Sequence, residues 1–195
     1  MGKTLIKHGN IFEWHNAFND CQKVLDLAKT GDWHHADVYR LDQDTVIVGR
    51  GLYVDQSYDV HKDIKKTMLE CLNEYILDNN LEVTEDHMDC DEFFFREYQP
   101  TSKFFVHEDW YGPQKLNGKE QRVFLSAILY FNENFTGGEL NFPDNDLCFQ
   151  PKEGSVFIFP SRTMHEVLEI KSGNRYMTQT YVYELPISSY DPKPI

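Results

Sequence analysis

The sequence predicts an α+β fold that is mainly β, with helices in the first half and a β sandwich or barrel after them. Apolar residues recur at helical spacing in two stretches of the first half. From Phe93 onward, short runs rich in aromatic and β-branched residues alternate with turn signals such as Asn117-Gly118 and Gly137-Gly138. Many short strands separated by turns are typical of sandwiches and barrels.

Two helices are predicted. Asn19-Asp20 can cap a short helix that ends at Gly31. A second helix is predicted from about Tyr58 to Leu77, where apolar residues recur at helical spacing and leave charged residues on the other face. We expect the helices to pack on the outside of one sheet.

The chain organisation indicates one domain. The 195 residues contain no repeat, low-complexity tract or Pro/Gly-rich linker, so a single domain is predicted over 1–195. Within it we expect a helical and mixed lead-in over about 1–92 and a β core over about 93–185. The four cysteines, at positions 21, 71, 90 and 148, show no paired spacing and are expected to be reduced, buried thiols.

Charge and hydropathy narrow the expected partners. The formal net charge is −13, and a surface this negative repels phosphate groups and anionic membranes. We therefore expect no nucleic acid and no membrane partner. The beginning of the chain lacks the apolar run of a signal peptide, and no stretch is long and apolar enough for a membrane helix, so a cytoplasmic protein is expected. The oligomeric state does not follow from the sequence.

Three residues form a candidate metal site. His107 and Asp109 flank Glu108 directly after a strand-like run, and side chains two residues apart on a strand point the same way. His165 lies at the beginning of another predicted strand. Two histidines and one carboxylate leave open positions on a metal, which is typical of non-haem iron(II) oxygenases. Each residue taken singly also fits an ordinary solvated or packed position.

Arg175 is a candidate anion-binding residue. It follows His165 by ten residues, across a Ser-Gly-Asn turn. Its planar guanidinium suits a carboxylate, and a cation placed inward among apolar strands needs an anionic partner. A surface arginine at the start of a strand is the alternative.

The second half of the chain resembles the 2-oxoglutarate/Fe(II) dioxygenases of the prolyl 4-hydroxylase type. The resemblance rests on the order and spacing of several short motifs. They are Tyr98, His107-Glu108-Asp109, Arg122 leading into Ala127 to Asn132, Gly137 to Pro143, Pro151 to Phe159, His165-Glu166-Val167 and Arg175-Tyr176.

The resemblance implies a double-stranded β-helix, or jelly roll, with the metal between two facing sheets. It implies that His107, Asp109 and His165 bind Fe(II) and that Arg175 pairs with the distal carboxylate of the cosubstrate 2-oxoglutarate. Tyr130 matches a tyrosine that hydrogen-bonds the same carboxylate, and Tyr98 matches one that lines the pocket. For both tyrosines, a core aromatic is the alternative. O2 is the further cosubstrate, and ascorbate is an additional candidate cofactor whose need the sequence does not establish.

The implied reaction is hydroxylation of a C–H bond with release of succinate and CO2, and a prolyl residue in a peptide or protein is the expected substrate. The segment from Trp110 to Glu120 is a candidate loop that covers the substrate. Three alternatives remain: an oxygenase acting on a free amino acid or other small molecule, a nucleic-acid demethylase, and a catalytically silent jelly-roll binding module. The demethylase predicts a second arginine soon after Arg175, and positions 176–185 contain no basic residue. The silent module predicts loss of a metal ligand, yet all three are present.

Three positions depart from the family pattern. Thr101 stands where the family often has glycine, and Tyr181 replaces a common tryptophan. At Arg175, many collagen-type members have lysine, whereas arginine occurs in the oxygen-sensing branch. These departures concern the subfamily and the substrate rather than the chemistry.

Overall fold

The computed structural model describes residues 2–30, 34–35, 40–41, 44–45, 49–83, 87–109, 114–116 and 119–184. The strands of the first half are β1 (Thr4–His8), β2 (Ile11–His15), β3 (His34–His35), β4 (Arg40–Leu41), β5 (Asp44–Thr45) and β6 (Gly49–Asp55). The strands of the second half are β7 (Glu92–Tyr98), β8 (Phe104–His107), β9 (Gln114–Leu116), β10 (Lys119–Tyr130), β11 (Thr136–Gly137), β12 (Leu140–Phe142), β13 (Leu147–Phe149), β14 (Val156–Pro160), β15 (His165–Val167), β16 (Ile170–Ser172) and β17 (Arg175–Glu184). A 3-10 turn at Pro143–Asn145 joins β12 to β13.

Both predicted helices are confirmed. α1 covers Cys21–Thr30 and α2 covers Asp59–Asn79. α2 ends because Asn80 adopts a left-handed φ of 49° and donates its backbone N–H to the carbonyl of Ile76, a usual way to satisfy a helix C-terminus. Gly31, the predicted end of α1, lies outside the described residues. No helix in the described part of the chain is long and apolar enough to cross a membrane.

Two antiparallel sheets form the predicted jelly roll. Within the described residues, the larger sheet has the order β1-β2-β14-β10-β17-β7-β6-β3, and β9 pairs with the beginning of β10. The smaller sheet has the order β13-β12-β15-β8. A buried cluster contains Tyr130 and Phe157 from the larger sheet together with Leu140 and Phe142 from the smaller one, so the two sheets face each other. Strands β1, β2 and β6, which the sequence did not predict, extend the larger sheet.

The larger sheet has two differently buried faces. Along β10, Leu125, Ala127 and Leu129 belong to the apolar cluster that includes Ile64 and Leu72 of α2. The alternate residues of β10 face the smaller sheet, because successive strand residues point to opposite sides. The helices therefore cover the outer face, as predicted, and the inner face remains for the interior of the jelly roll.

The cysteine prediction is correct for three positions and wrong for one. Cys21, Cys71 and Cys90 are free and buried, and burial raises the pKa of each thiol to about 12. Cys148 is free but exposed. It lies on β13 at the edge of the smaller sheet, between two residues that are partly buried, so its side chain points outward.

The predicted covering loop is described only in part. Gln114–Leu116 pairs with the beginning of β10 as a hairpin, so this part of the segment is a strand. Residues 110–113 and 117–118 lie outside the described residues. That the segment covers a substrate stays a prediction.

Candidate active site

The structure brings the three predicted metal-site residues together. His107 ends β8 and His165 begins β15, and the two are direct register partners on neighbouring strands. Asp109 follows β8, where its backbone N–H donates to the carbonyl of Ser161 over 2.8 Å. One nitrogen of each histidine and one carboxylate oxygen all lie within 4.8 Å of one another. No other such group of three is found among the described residues.

Hydrogen bonds orient both imidazole rings toward this point. Nδ1 of His107 lies 2.7 Å from the carbonyl of Phe105, and Nδ1 of His165 lies 2.9 Å from the carbonyl of Thr163. A carbonyl oxygen only accepts, so each Nδ1 must donate its proton. In the neutral imidazole, Nε2 is then unprotonated and available to a metal. These bonds are the kind that fix metal-binding histidines in one tautomer.

The protonation states also suit a metal. Burial alone would raise the pKa of Asp109, but the nearby His107 and His165 and the hydrogen bond from Ser126 lower it below its ordinary value. Burial lowers the pKa of His165. At neutral pH, Asp109 is therefore a carboxylate and His165 is a neutral imidazole, and these are the forms that bind metal.

Asp109 contacts three side chains that the sequence did not predict as site residues. Its Oδ2 accepts hydrogen bonds from Ser126 Oγ and Gln179 Nε2, both at 2.7 Å. Its Oδ1 lies 3.5 Å from the hydroxyl of Tyr181. Ser126 is a polar residue in the otherwise apolar stretch of β10, which was the available signal. Gln179 and Tyr181 have the same strand parity as Arg175 and therefore share its face.

A buried arginine defines a second part of the site. Arg175 is fully buried at the beginning of β17. Its Cζ lies 5.1 Å from the ring centroid of Tyr98 and 4.9 Å from that of Tyr130, and its Nη2 donates to the hydroxyl of Tyr130 over 2.8 Å. The three residues of the predicted cosubstrate pocket are therefore in contact. Burial raises the pKa of Tyr130 although the guanidinium opposes this, so the hydroxyl keeps its proton.

The arginine has unused hydrogen-bonding capacity. Its Nε and Nη1 are buried and have no hydrogen-bond partner among the described residues. A buried charge without a counter-charge is costly, so a guanidinium with unused N–H groups indicates an anionic ligand rather than a closed core. The residue lies on the same strand face as Gln179, four residues or roughly 13 Å along β17. The anion position and the Asp109 carboxylate thus share one interior.

The Gly137-Gly138 pair makes room for this arginine. Both residues have positive φ, 72° and 66°. A Cβ added at Gly138 would lie 2.8 Å from Ile170 and 3.4 Å from Cδ of Arg175. Glycine is therefore required at this turn both by the positive φ and by the close approach of neighbouring atoms.

Comparison with known families agrees with this geometry. The family model described as the 2OG-Fe(II) oxygenase superfamily matches residues 93–183. The matched segment covers slightly less than half of the chain. The matched segment includes all six predicted site residues. It begins at the position where the predicted helices end and the predicted strands begin.

The chain is also similar to curated proteins and to solved structures. A PKHD-type hydroxylase of Crocosphaera subtropica is 31% identical over 97 residues, which are 47% of this chain and 42% of that protein. The chain thus spans less than half of the length of this curated relative. A viral collagen prolyl hydroxylase from Paramecium bursaria Chlorella virus-1 superposes with a TM-score of 0.66 at 17% identity, covering 91% of this chain and 97% of that one.

A third relative was solved with a peptide. It is a prolyl hydroxylase from Trichoplax adhaerens in complex with a hypoxia-inducible factor oxygen degradation domain peptide. It superposes with a TM-score of 0.63 at 16% identity and covers 89% of this chain and 83% of that chain. At these identities the two structural likenesses establish the jelly-roll fold, which agrees with the prediction.

The residues present fit the cofactors that the oxygenase family implies. Two imidazoles and one carboxylate provide three ligands and leave further positions open, as Fe(II) oxygenases require. The unpartnered N–H groups of Arg175 fit one carboxylate of a dicarboxylate such as 2-oxoglutarate. Neither observation depends on the comparisons with other proteins.

Proposed function

We propose that this chain is an Fe(II)- and 2-oxoglutarate-dependent dioxygenase that hydroxylates a prolyl residue of a peptide or protein. The observation that supports the chemistry best is a fully buried arginine with two unpartnered N–H groups in the same interior as an oriented His-Asp-His triad. The prolyl substrate is supported by the prolyl hydroxylases among the structural relatives, one of which holds a peptide.

In this proposal each residue has a separate task. His107, Asp109 and His165 hold the metal, and Ser126 and Gln179 fix the Asp109 carboxylate. Arg175 and Tyr130 hold the distal carboxylate of 2-oxoglutarate, and the ring of Tyr98 lines the same pocket. When bound, the metal and cosubstrate supply the oxidising chemistry: O2 and 2-oxoglutarate are converted to succinate and CO2, and one oxygen atom enters the substrate C–H bond.

Succinate formation tests the proposal. Purified protein is assayed with Fe(II), 2-oxoglutarate and O2, with and without prolyl peptides, and with and without ascorbate as reductant. We expect turnover that rises with peptide and falls below detection in His165→Ala, because the metal loses one of three ligands. His15→Ala is the matched control, since it removes a half-buried histidine of β2 outside the triad.

The outcomes separate the chemistry from the substrate. Turnover that ignores every peptide would support the oxygenase and contradict the prolyl substrate. No turnover, in protein that is shown to bind iron, would contradict the oxygenase and favour a silent binding module. Loss of turnover on omitting ascorbate would establish its role.

Cosubstrate binding gives an independent prediction. Arg175→Gln should weaken 2-oxoglutarate binding to the Mn(II)-loaded protein by about 100-fold, because a charge-assisted hydrogen-bonded pair contributes about 3 kcal/mol. Arg50→Gln is the control, because the Arg50 guanidinium lies 2.6 Å from Glu97 on the opposite face of the sheet. Equal affinities in the two variants would exclude Arg175 from the cosubstrate site.

A further inference from the structure

Arg96 is a second arginine on the inner face of the larger sheet. It lies on β7 with the same parity as Tyr98, and its register partners are Met177 on β17 and Gly51 on β6. Phe93 and Phe95, with the opposite parity, face the helices. Arg96 is only partly buried, unlike Arg175. Because it faces the interior and still reaches solvent, it lies at the opening of the jelly roll.

The contacts of Arg96 do not neutralise its charge. Its Cζ lies 5.4 Å from the ring centroid of Phe94, and its side chain hydrogen-bonds that of Tyr98. Asp109 acts on it electrostatically, yet no ion pair joins Arg96 to any carboxylate among the described residues. A guanidinium in a partly dry site that has no ion-pair partner favours an additional anion.

An aromatic surface adjoins this guanidinium. Gly51 has no side chain, and a Cβ there would lie 1.9 Å from Cζ of Phe94, so the ring of Phe94 lies on the backbone of β6. The ring of Tyr53 lies 4.6 Å from that of Phe94, and Tyr53 is 51% exposed. The sheet thus presents a half-exposed aromatic pair that leads from its edge to the arginine.

The charge balance of the loaded site indicates what Arg96 would bind. This step rests on the proposed function. Fe(II) and the Arg175 guanidinium contribute about three positive charges, and the Asp109 carboxylate and 2-oxoglutarate contribute about three negative charges. These groups cancel, and Arg96 adds one positive charge at the opening. The cosubstrate therefore does not supply the missing counter-charge.

We infer that Arg96 binds a carboxylate of the substrate close to the carbon that is oxidised, with the Tyr53–Phe94 pair under the adjoining part of the substrate. The carboxylate has two possible sources. It is an acidic side chain next to the prolyl residue of a peptide, or it is the main-chain carboxylate of a free or C-terminal amino acid. The overall negative charge of the chain makes this local cation selective, because few other surfaces attract an acidic substrate.

Binding to inactive, loaded protein tests the inference without turnover. The protein is loaded with Mn(II) and 2-oxoglutarate, and fluorescence anisotropy measures labelled prolyl peptides that differ only by Asp or Asn beside the proline. Competition by free L-proline and by L-prolinamide examines the second source. We expect one of the two acidic ligands to bind at least about tenfold more tightly than its amide.

Variants then assign the preference to Arg96. The ratio of the affinity for the acid to the affinity for the amide should fall to about one in Arg96→Gln. Arg96→Glu should invert this affinity ratio, and Arg96→Lys should retain it. Arg50→Gln, which removes a positive charge from the neighbouring strand, should keep the ratio of the unmodified chain. Circular dichroism verifies that each variant is folded.

Three results would overturn the inference. In the first, the unmodified chain shows no preference for either carboxylate over its amide. In the second, the acid-to-amide affinity ratio persists in Arg96→Gln and Arg96→Glu. In the third, Arg96→Gln weakens the binding of 2-oxoglutarate itself and leaves the affinity ratio unchanged. The last result would assign Arg96 to the cosubstrate. Failure of the proposed function is recognised separately, because the protein would then not bind 2-oxoglutarate or would form no succinate. Even in that case, an acid-to-amide affinity ratio that changes with the Arg96 variants would establish an anion site.

Discussion

The two faces of β10 and β17 differ in chemistry although they belong to the same strands. The outer face presents Leu125, Ala127 and Leu129 of β10 to the helices, and these residues are 1% exposed or less. The inner face presents Ser126 and Tyr130 of the same strand, together with Arg175 and Gln179 of β17. Because successive side chains of a strand point to opposite faces, the same strands contribute to a packed core on one side of the sheet and to a candidate active site on the other.

The difference separates what stabilises the fold from what provides the chemistry. The outer face buries apolar surface, which is the dominant favourable contribution to folding. The interior that the inner face lines contains the buried side chains of Asp109, His165 and Arg175, and desolvation of such groups opposes folding. Changes on the outer face should therefore alter stability without altering ligand affinity, and changes on the inner face should do the reverse.

The largest expected effect on stability is on the outer face. Leu129→Ala should lower the free energy of unfolding by about 3 kcal/mol, because it leaves a cavity in a fully buried cluster. Urea denaturation measures this change in the free energy of unfolding. The control is Leu77→Ala, at a position on α2 that is 78% exposed, which should change the free energy of unfolding by less than about 0.5 kcal/mol. The affinity for Mn(II) should stay the same. A parallel loss of metal affinity would show that the two faces are coupled.

An intermediate effect is expected on the inner face. Gln179→Leu removes one of the two donors to Oδ2 of Asp109, and loss of such a supporting bond lowers metal affinity by about 10-fold to 100-fold. Calorimetric titration with Mn(II) measures the change, and Gln22→Leu on the exposed side of α1 is the control. A variant that loses stability but keeps its metal affinity would reverse the roles assigned to the two faces.

The sequence predicted the site better than it predicted the support around the site. His107, Asp109 and His165 were predicted to converge because ligand chemistry restricts residue type and spacing, and the structure brings them together. The position of Arg175 was indicated by the resemblance. The direct pairing of β8 with β15, which brings the two histidines together, is a long-range contact that local periodicity does not contain. Gln179 was missed for a related reason, since many polar residues in a strand can hydrogen-bond a carboxylate and only the sheet register determines which one does.

The first-half strands were missed because they are stabilised by neighbours far along the chain. β2 pairs with β14, and β6 pairs with β7. Their stretches are short and have no strict alternation, so propensity alone does not identify them. The helices were predicted more accurately, because caps and apolar spacing are local signals.

The smallest expected effect concerns backbone strain on the side of the molecule that contains the site. Thr101 lies in the turn between β7 and β8, between the strands of Tyr98 and His107, and has a φ of 76°. This left-handed conformation is unfavourable for a β-branched residue and favourable for glycine, which explains in physical terms why the family often has glycine here. The backbone N–H of Thr101 donates to the carbonyl of Ile170 over 2.8 Å, and glycine would keep that bond.

Thr101→Gly should therefore raise the free energy of unfolding by about 1 kcal/mol, since relief of strain exceeds the entropy cost of glycine. Thr4→Gly, at an exposed position of β1 with ordinary φ, is the matched control and should lower stability. Thermal and urea unfolding of both variants provide the measurement. If Thr101→Gly were instead destabilising, the threonine side chain would contribute an interaction that outweighs its strain. The departure from the family pattern would then be an adaptation of this turn.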